Sequence, residues 1–100
     1  MENLPRLHYL LQAADDPSLL VAADEVWETR ARHLRKLGRS FEAPQEHLLR
    51  ALAIAARIFD PIARSLREAR PSGVDLDPTE AWAFLTDAAP ALREAGLGVL

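Results

Sequence analysis

The sequence predicts an all-α fold, a bundle of four to five short helices with a short C-terminal extended segment. Three observations point there. Hydrophobic residues make up 49% of the 100-residue chain, and much of that share is alanine, which suits closely packed helices. Asp16-Pro17, Asp60-Pro61 and Asp77-Pro78 each place an N-cap acceptor before proline at the first helical position. Leu48, Leu49, Leu52, Ala55, Ala56 and Phe59 follow the i, i+3, i+4 rule of a helix with a buried stripe.

Taken in order, residues from about Pro5 to Ala14 are expected to form a short helix with Leu7, Leu10, Leu11 and Ala14 on one side. Asp16-Pro17 opens a longer helix ending near Leu37, with Gly38 as its stop. Pro44 opens a third helix, whose opposite side carries Ala51, Ile54 and Ile58, interrupted only by Arg50 and Arg57. Apolar on two sides, it is expected to be the central helix, packed between neighbours. Asp60-Pro61 should break or kink it. A fourth helix then runs to about Ala69, with Ile62, Leu66 and Ala69 inward. Arg70-Pro71-Ser72-Gly73 reads as a turn and Val74-Asp75-Leu76 as a brief extended link.

The last twenty-four residues form a unit of their own. Asp77-Pro78-Thr79-Glu80 is a capping-box start. Phe84, Leu85, Ala88, Leu92 and Ala95 supply the apolar stripe, Ala89-Pro90 divides the helix, and Gly96 is a left-handed stop. Leu97-Gly98-Val99-Leu100 then has the apolar, β-leaning character of a buried strand. A strand with no partner after it implies a sheet completed elsewhere. Residues 1–100 are therefore expected to be one helical domain of a larger protein, with 77–100 beginning a helix–strand unit finished downstream.

Composition excludes several classes of function. A net charge of −3 does not suit a strongly cationic nucleic-acid binder. With no cysteine there is no disulfide, thiolate metal site or cysteine nucleophile, which fits a reducing cytoplasm. No apolar run approaches the roughly 18–20 residues of a membrane span. His8, His33 and His47 have neither an i, i+4 pairing nor a Glu-x-x-His spacing, so no metal site is expected. No glycine-rich loop leads into Lys-Ser or Lys-Thr, and nothing resembles a nucleophile elbow. The expectation is a chain without catalytic residues, cofactor or metal of its own.

Two charged or aromatic features stand out. Arg32, Arg35, Lys36 and Arg39 fall within about 100° of one another on a helical wheel. They form a basic stripe that either contacts nucleic-acid phosphates or an acidic partner, or simply complements a helix C-terminus. Glu28, four residues before Arg32, partly neutralises it. Arg30 sits instead in the apolar stripe among Val26, Trp27, Leu34 and Leu37. An unpaired buried guanidinium is costly, so its stem should pack on Trp27 with the head reaching outward, to a carboxylate or to a partner. Trp82, one turn into the tail helix, is read first as a core residue; with Trp27 and Arg30 it is the alternative nucleus of a docking surface.

Ala81-Trp82-Ala83-Phe84-Leu85, Ala88-Ala89-Pro90-Ala91-Leu92 and Glu94-Ala95-Gly96-Leu97-Gly98-Val99-Leu100 together resemble a stretch of bacterial helicases of the Swi/Snf superfamily. It lies there in an accessory region N-terminal to the ATPase core. Pro44 to Leu52, Ala55-Ala56-Arg57, Pro61 and Arg70-Pro71 fall in a similar order, so the likeness covers residues 40–100 well and the first 40 loosely. The family's proline and tryptophans after the valine-leucine run are not present here. The resemblance implies an accessory module of an ATP-dependent DNA translocase, docking to the downstream motor or to another partner and touching DNA through the stripe. ATP and magnesium would be bound in the motor lobes, and none of the residues here corresponds to those ligands. The other readings are a free-standing helical interaction module and a small DNA-binding regulator. Dimerisation would be a by-product of truncation.

Overall fold

The computed structural model describes residues 4–12, 18, 20–28 and 44–99. Among them the fold is mixed α and β, not all-α, with two small two-stranded antiparallel sheets set against short helices. Strands β1 (Arg6–His8) and β2 (Leu10–Gln12) occupy the expected first helix, and β3 (Leu20–Ala22) leads into α1 (Ala23–Glu28). Then follow α2 (Pro44–Ile58), α3 (Pro61–Ser65), β4 (Gly73–Asp75), α4 (Pro78–Ala83), a π-helical turn (Phe84–Ala88) and α5 (Ala89–Glu94).

The first correction has a clear physical cause. Leu7, Tyr9 and Leu11 turn inward while Arg6, His8, Leu10 and Gln12 turn outward, which is the period of a strand. The helical reading put Leu10 inside; it is exposed. Val74, expected in a mere link, is β4's core residue and pairs with Leu7. The helix from Asp16 is overturned over Leu20–Ala22, which is strand, and holds over Ala23–Glu28. Ala14, Asp16-Pro17 and Leu37-Gly38 lie outside the described residues.

Residues 5–12 serve both sheets. Arg6, Leu7 and His8 pair with Asp75, Val74 and Gly73; Leu10, Leu11 and Gln12 pair with Ala22, Val21 and Leu20. Tyr9 is the junction: its N–H donates to the Ser72 carbonyl at 3.0 Å and its own carbonyl accepts from Ala23 N–H at 2.9 Å. The second bond also satisfies one of the orphan donors at the start of α1. Gly73 is obligatory in this register, because a Cβ there would sit 2.3 Å from the Leu7 carbonyl oxygen.

The core gathers Tyr9, Leu11, Val21 and Val26 with Leu48, Leu52 and Ala55 of α2, and is closed by Phe59, Ile62, Val74, Leu76, Ala88 and Leu92. Val26 and Leu76 have almost no exposure; each such burial stabilises by roughly 1.5–3 kcal/mol. Helix α2 is not packed on two sides: Ile54 of its second stripe is 46% exposed, and Leu49, expected in the buried stripe, is 44% exposed at that stripe's rim. Its chain does break at Asp60-Pro61, but Asp60 is itself helical and its side chain makes no cap bond. Helix α3 ends at Ser65, short of the expected Ala69, which is exposed.

The tail follows its capping signals and departs from its expected stripe. Asp77 and Glu80 form the full capping box, with Glu80 N–H to Asp77 Oδ1 at 2.7 Å and Asp77 N–H to Glu80 Oε1 at 3.0 Å. Gly96, at φ 89°, ends α5. Leu97 N–H reaches the Leu92 carbonyl at 2.9 Å and Gly96 N–H the Arg93 carbonyl at 3.0 Å, a Schellman stop. Between these ends Pro90 has no N–H and its ring would collide with the carbonyl four residues back. The chain answers with a wide turn, in which Ala89 N–H bonds Phe84 O. That extra residue keeps Ala88 and Leu92 inward and leaves Leu85 outside. Residues 97–99 form no strand; Leu97 and Val99 pack irregularly against the core.

Candidate interaction surface

Several polar groups are spent on holding the chain together. Tyr9, with its ring buried, places its hydroxyl 2.7 Å from Ser65 Oγ. Ser65 Oγ in turn donates to the Ile62 carbonyl at 2.6 Å. A serine hydroxyl has one proton, so Tyr9 is the donor to Ser65. Burial raises the Tyr9 phenol's pKa, and the bond to Ser65 offsets part of the rise. Trp27 Nε1 donates to the Pro71 carbonyl at 2.7 Å, and Gln45 Nε2 donates to the Val26 carbonyl at 3.1 Å, capping the end of α1.

The capping box of α4 extends into an ion-pair network. Arg64 grips Glu80 with two donors, Nη1 to Oε2 at 2.6 Å and Nη2 to Oε1 at 3.1 Å, and Nη2 also donates to the Asp75 carbonyl at 2.8 Å. This bidentate clamp joins α3, β4 and α4. The Arg64 bonds, followed by the Asp77 N–H, hold the Glu80 carboxyl below its ordinary pKa. Arg64 is pushed up by the same contact. On β1 and β4, Arg6 Nη1 meets Asp75 Oδ1 at 3.0 Å as a cross-strand pair.

The opposite character appears on the outside of the tail helix. Trp82 is 69% and Leu85 67% exposed, three residues apart at the join of α4 and the π-turn. The expectation of Trp82 as a core residue is thus overturned. The capping box fixes the helix below the indole, and Thr86 Oγ1 donates to the Trp82 carbonyl at 2.9 Å. Trp27 is half-buried against the core, with its N–H committed to Pro71. Arg30, Arg32, Arg35, Lys36 and Arg39 lie outside the described residues.

A second feature was not anticipated from the sequence. A groove of about 470 Å³ runs beside residues 6–10 of the strand, floored by Leu48, Ala51, Leu52 and Ala55 of α2 and bounded by residues 97–99. The alternation of Leu7, Tyr9 and Leu11 with polar neighbours was the signal that could have revealed its wall. Among the described residues no three His, Asp or Glu side chains gather to hold a metal ion, and no helix is long and apolar enough to cross a membrane. Comparison of the chain with known protein families, with curated proteins and with solved structures finds no match.

Proposed function

We propose that this chain is a non-catalytic interaction module that docks through Trp82 and Leu85, in the setting its tail residues suggest: the accessory region of a Swi/Snf-type, ATP-dependent DNA translocase. The observation that carries it is the pair of large apolar side chains held in solvent at 69% and 67% exposure on a capped helix. Aromatic anchors on pre-ordered elements are the side chains that interfaces use most. The buried hydroxyls, by contrast, are consumed internally: Ser65 bonds Ile62, and Tyr9 bonds Ser65. ATP and magnesium belong to the motor in this reading, and contact with DNA falls to the basic stripe.

Tryptophan fluorescence tests the docking patch. The chain has two tryptophans, so Trp27→Phe leaves Trp82 as the sole emitter. Titration with the isolated two-lobed core of a bacterial Swi/Snf-type helicase should shift its emission to the blue. The double change Trp82→Ser, Leu85→Ser should weaken binding by at least about tenfold. Unshifted emission, or binding indifferent to both changes, sinks this reading. The same patch serves a free-standing interaction module, and the reading frame that contains the sequence separates the two. A P-loop within the next few hundred residues supports the translocase; its absence leaves the module alone.

A further inference from the structure

Among the described residues, the backbone of residues 5–12 has one occupied edge and one open edge. Leu76 N–H bonds Pro5 O at 2.8 Å, Tyr9 N–H bonds Ser72 O, and Ala23 N–H bonds Tyr9 O. Hydrogen-bonded pairs in an antiparallel ladder alternate with non-bonded ones. The odd-numbered residues therefore face β4 and β3, which lie end to end along the same edge. Arg6, His8 and Leu10 occupy the non-bonded positions opposite Asp75, Gly73 and Ala22. Their N–H and C=O groups point to the other edge, where no described residue pairs with them.

The groove lies along that open edge. Its wall is Arg6 to Leu10 with Gln12; among the described residues none of β4 borders it, and Leu20 of β3 does so beside Gln12. An open edge beside an apolar trough is the geometry of strand addition, in which main-chain bonds supply affinity and the trough receives alternate side chains. Charge indicates the occupant. Among the described lining residues Arg6 and His8 are the groups that can carry positive charge, Tyr9 is the other ionisable one, and none is a carboxylate. Arg6's bond to Asp75 is a surface pair with both side chains well exposed, a kind of contact easily exchanged. A second copy of this chain would present the same cationic rim. A purely hydrocarbon ligand would leave the edge groups without partners.

We propose that the outer edge of residues 6–10 binds an extended peptide of about five residues, apolar at alternate positions and carrying an acidic residue that meets Arg6. At about 3.4 Å per residue such a segment spans roughly 17 Å. Phe84 lines this site but neither Trp82 nor Leu85 does, and it does not depend on the translocase reading. The probe is an end-blocked hexapeptide of alternating valine and threonine with one terminal glutamate, added to the isotope-labelled full chain. Binding should move the amide resonances of Arg6, His8 and Leu10 and slow their hydrogen exchange. The peptide N-methylated at its edge-facing amides should lose binding, and glutamate-to-lysine exchange should weaken it about fivefold. Leu10→Pro should abolish binding while leaving the bonded positions of β2 intact; the N-methyl comparison decides the matter should that variant fail to fold. Four results would overturn the proposal: no shift at millimolar peptide, equal binding of the N-methylated form, indifference to the charge exchange, or edge protection that grows with protein concentration without peptide, which assigns the edge to a second copy.

Discussion

The region tied together by Arg64, Glu80, Tyr9 and Ser65 differs from the surfaces that present Trp82 and Leu85 and, separately, the groove. In the first, each polar group has a partner within the chain: a hydroxyl on a hydroxyl, a guanidinium on a carboxylate and a carbonyl. On the second, large apolar side chains and a strand edge find none among the described residues. Internal satisfaction fixes a shape. Unsatisfied surface held by that shape is what a partner can use, and the Trp82 surface adjoins the tied region because the capping box of α4 lies one turn before Trp82.

Substitutions should divide along this contrast. The largest effect is expected at Gly73, where a methyl group would meet the Leu7 carbonyl oxygen at 2.3 Å, a backbone atom unable to swing aside. Gly73→Ala should cost roughly 2–3 kcal/mol, read as a lower urea midpoint, with faster exchange of the Leu7 and Tyr9 amides. A variant as stable as the parent would mean that β1 and β4 do not pair in this register.

Next comes Tyr9→Phe, which deletes the bond to Ser65 without orphaning the serine proton, since that proton goes to Ile62. About 1 kcal/mol should be lost. Tyr9 is the only tyrosine, so phenolate absorbance reports it directly. Its folded pKa is raised by burial, so its contribution is complete below the unfolded value of about 10 and lost as pH rises through the folded value. The alkaline decline in stability should be shallower in Tyr9→Phe; identical declines would place the phenol in water. The smallest effect is expected at Leu85→Ser, within about 0.5 kcal/mol of the parent by thermal or urea unfolding. A loss of several times that would show Leu85 to be part of the core and remove it from the docking patch.

What could be read from the sequence was what acts locally. Asp77, Glu80 and Gly96 perform the cap and the stop their types announce, and the break at Asp60-Pro61 falls where proline requires it. Leu48, Leu52, Ala55 and Phe59 are buried as their spacing predicts. The errors came from partners distant in sequence. Residues 6–12 satisfy both a helical count and a strand alternation, and only pairing with Val74, 67 positions away from Leu7, decides between them. Ile54 shows that an apolar second stripe does not ensure a second neighbour, and Leu49 that the rim of the first stripe can stay in solvent. Leu85 was misplaced by one extra residue in a turn, a consequence of Pro90 legible only once the π-turn is seen. Of the candidate site, Trp82 was legible as a residue but not its exposure, since the core reading came first, and the open edge beside Arg6 and His8 depended on the topology.

The pairing of β1 with β4 also sets an order of events during synthesis. His8 emerges 65 residues before its partner Gly73. At about 5–20 residues per second, that interval lasts on the order of 3–13 seconds. For that time the nascent strand has neither of its edges covered by β4. Closing so long a loop also makes this contact slow and entropically late relative to the local helices. A factor that binds extended segments at the ribosome would therefore meet residues 6–8 before β4 does, and completion of β4 would be the step that closes that edge to it.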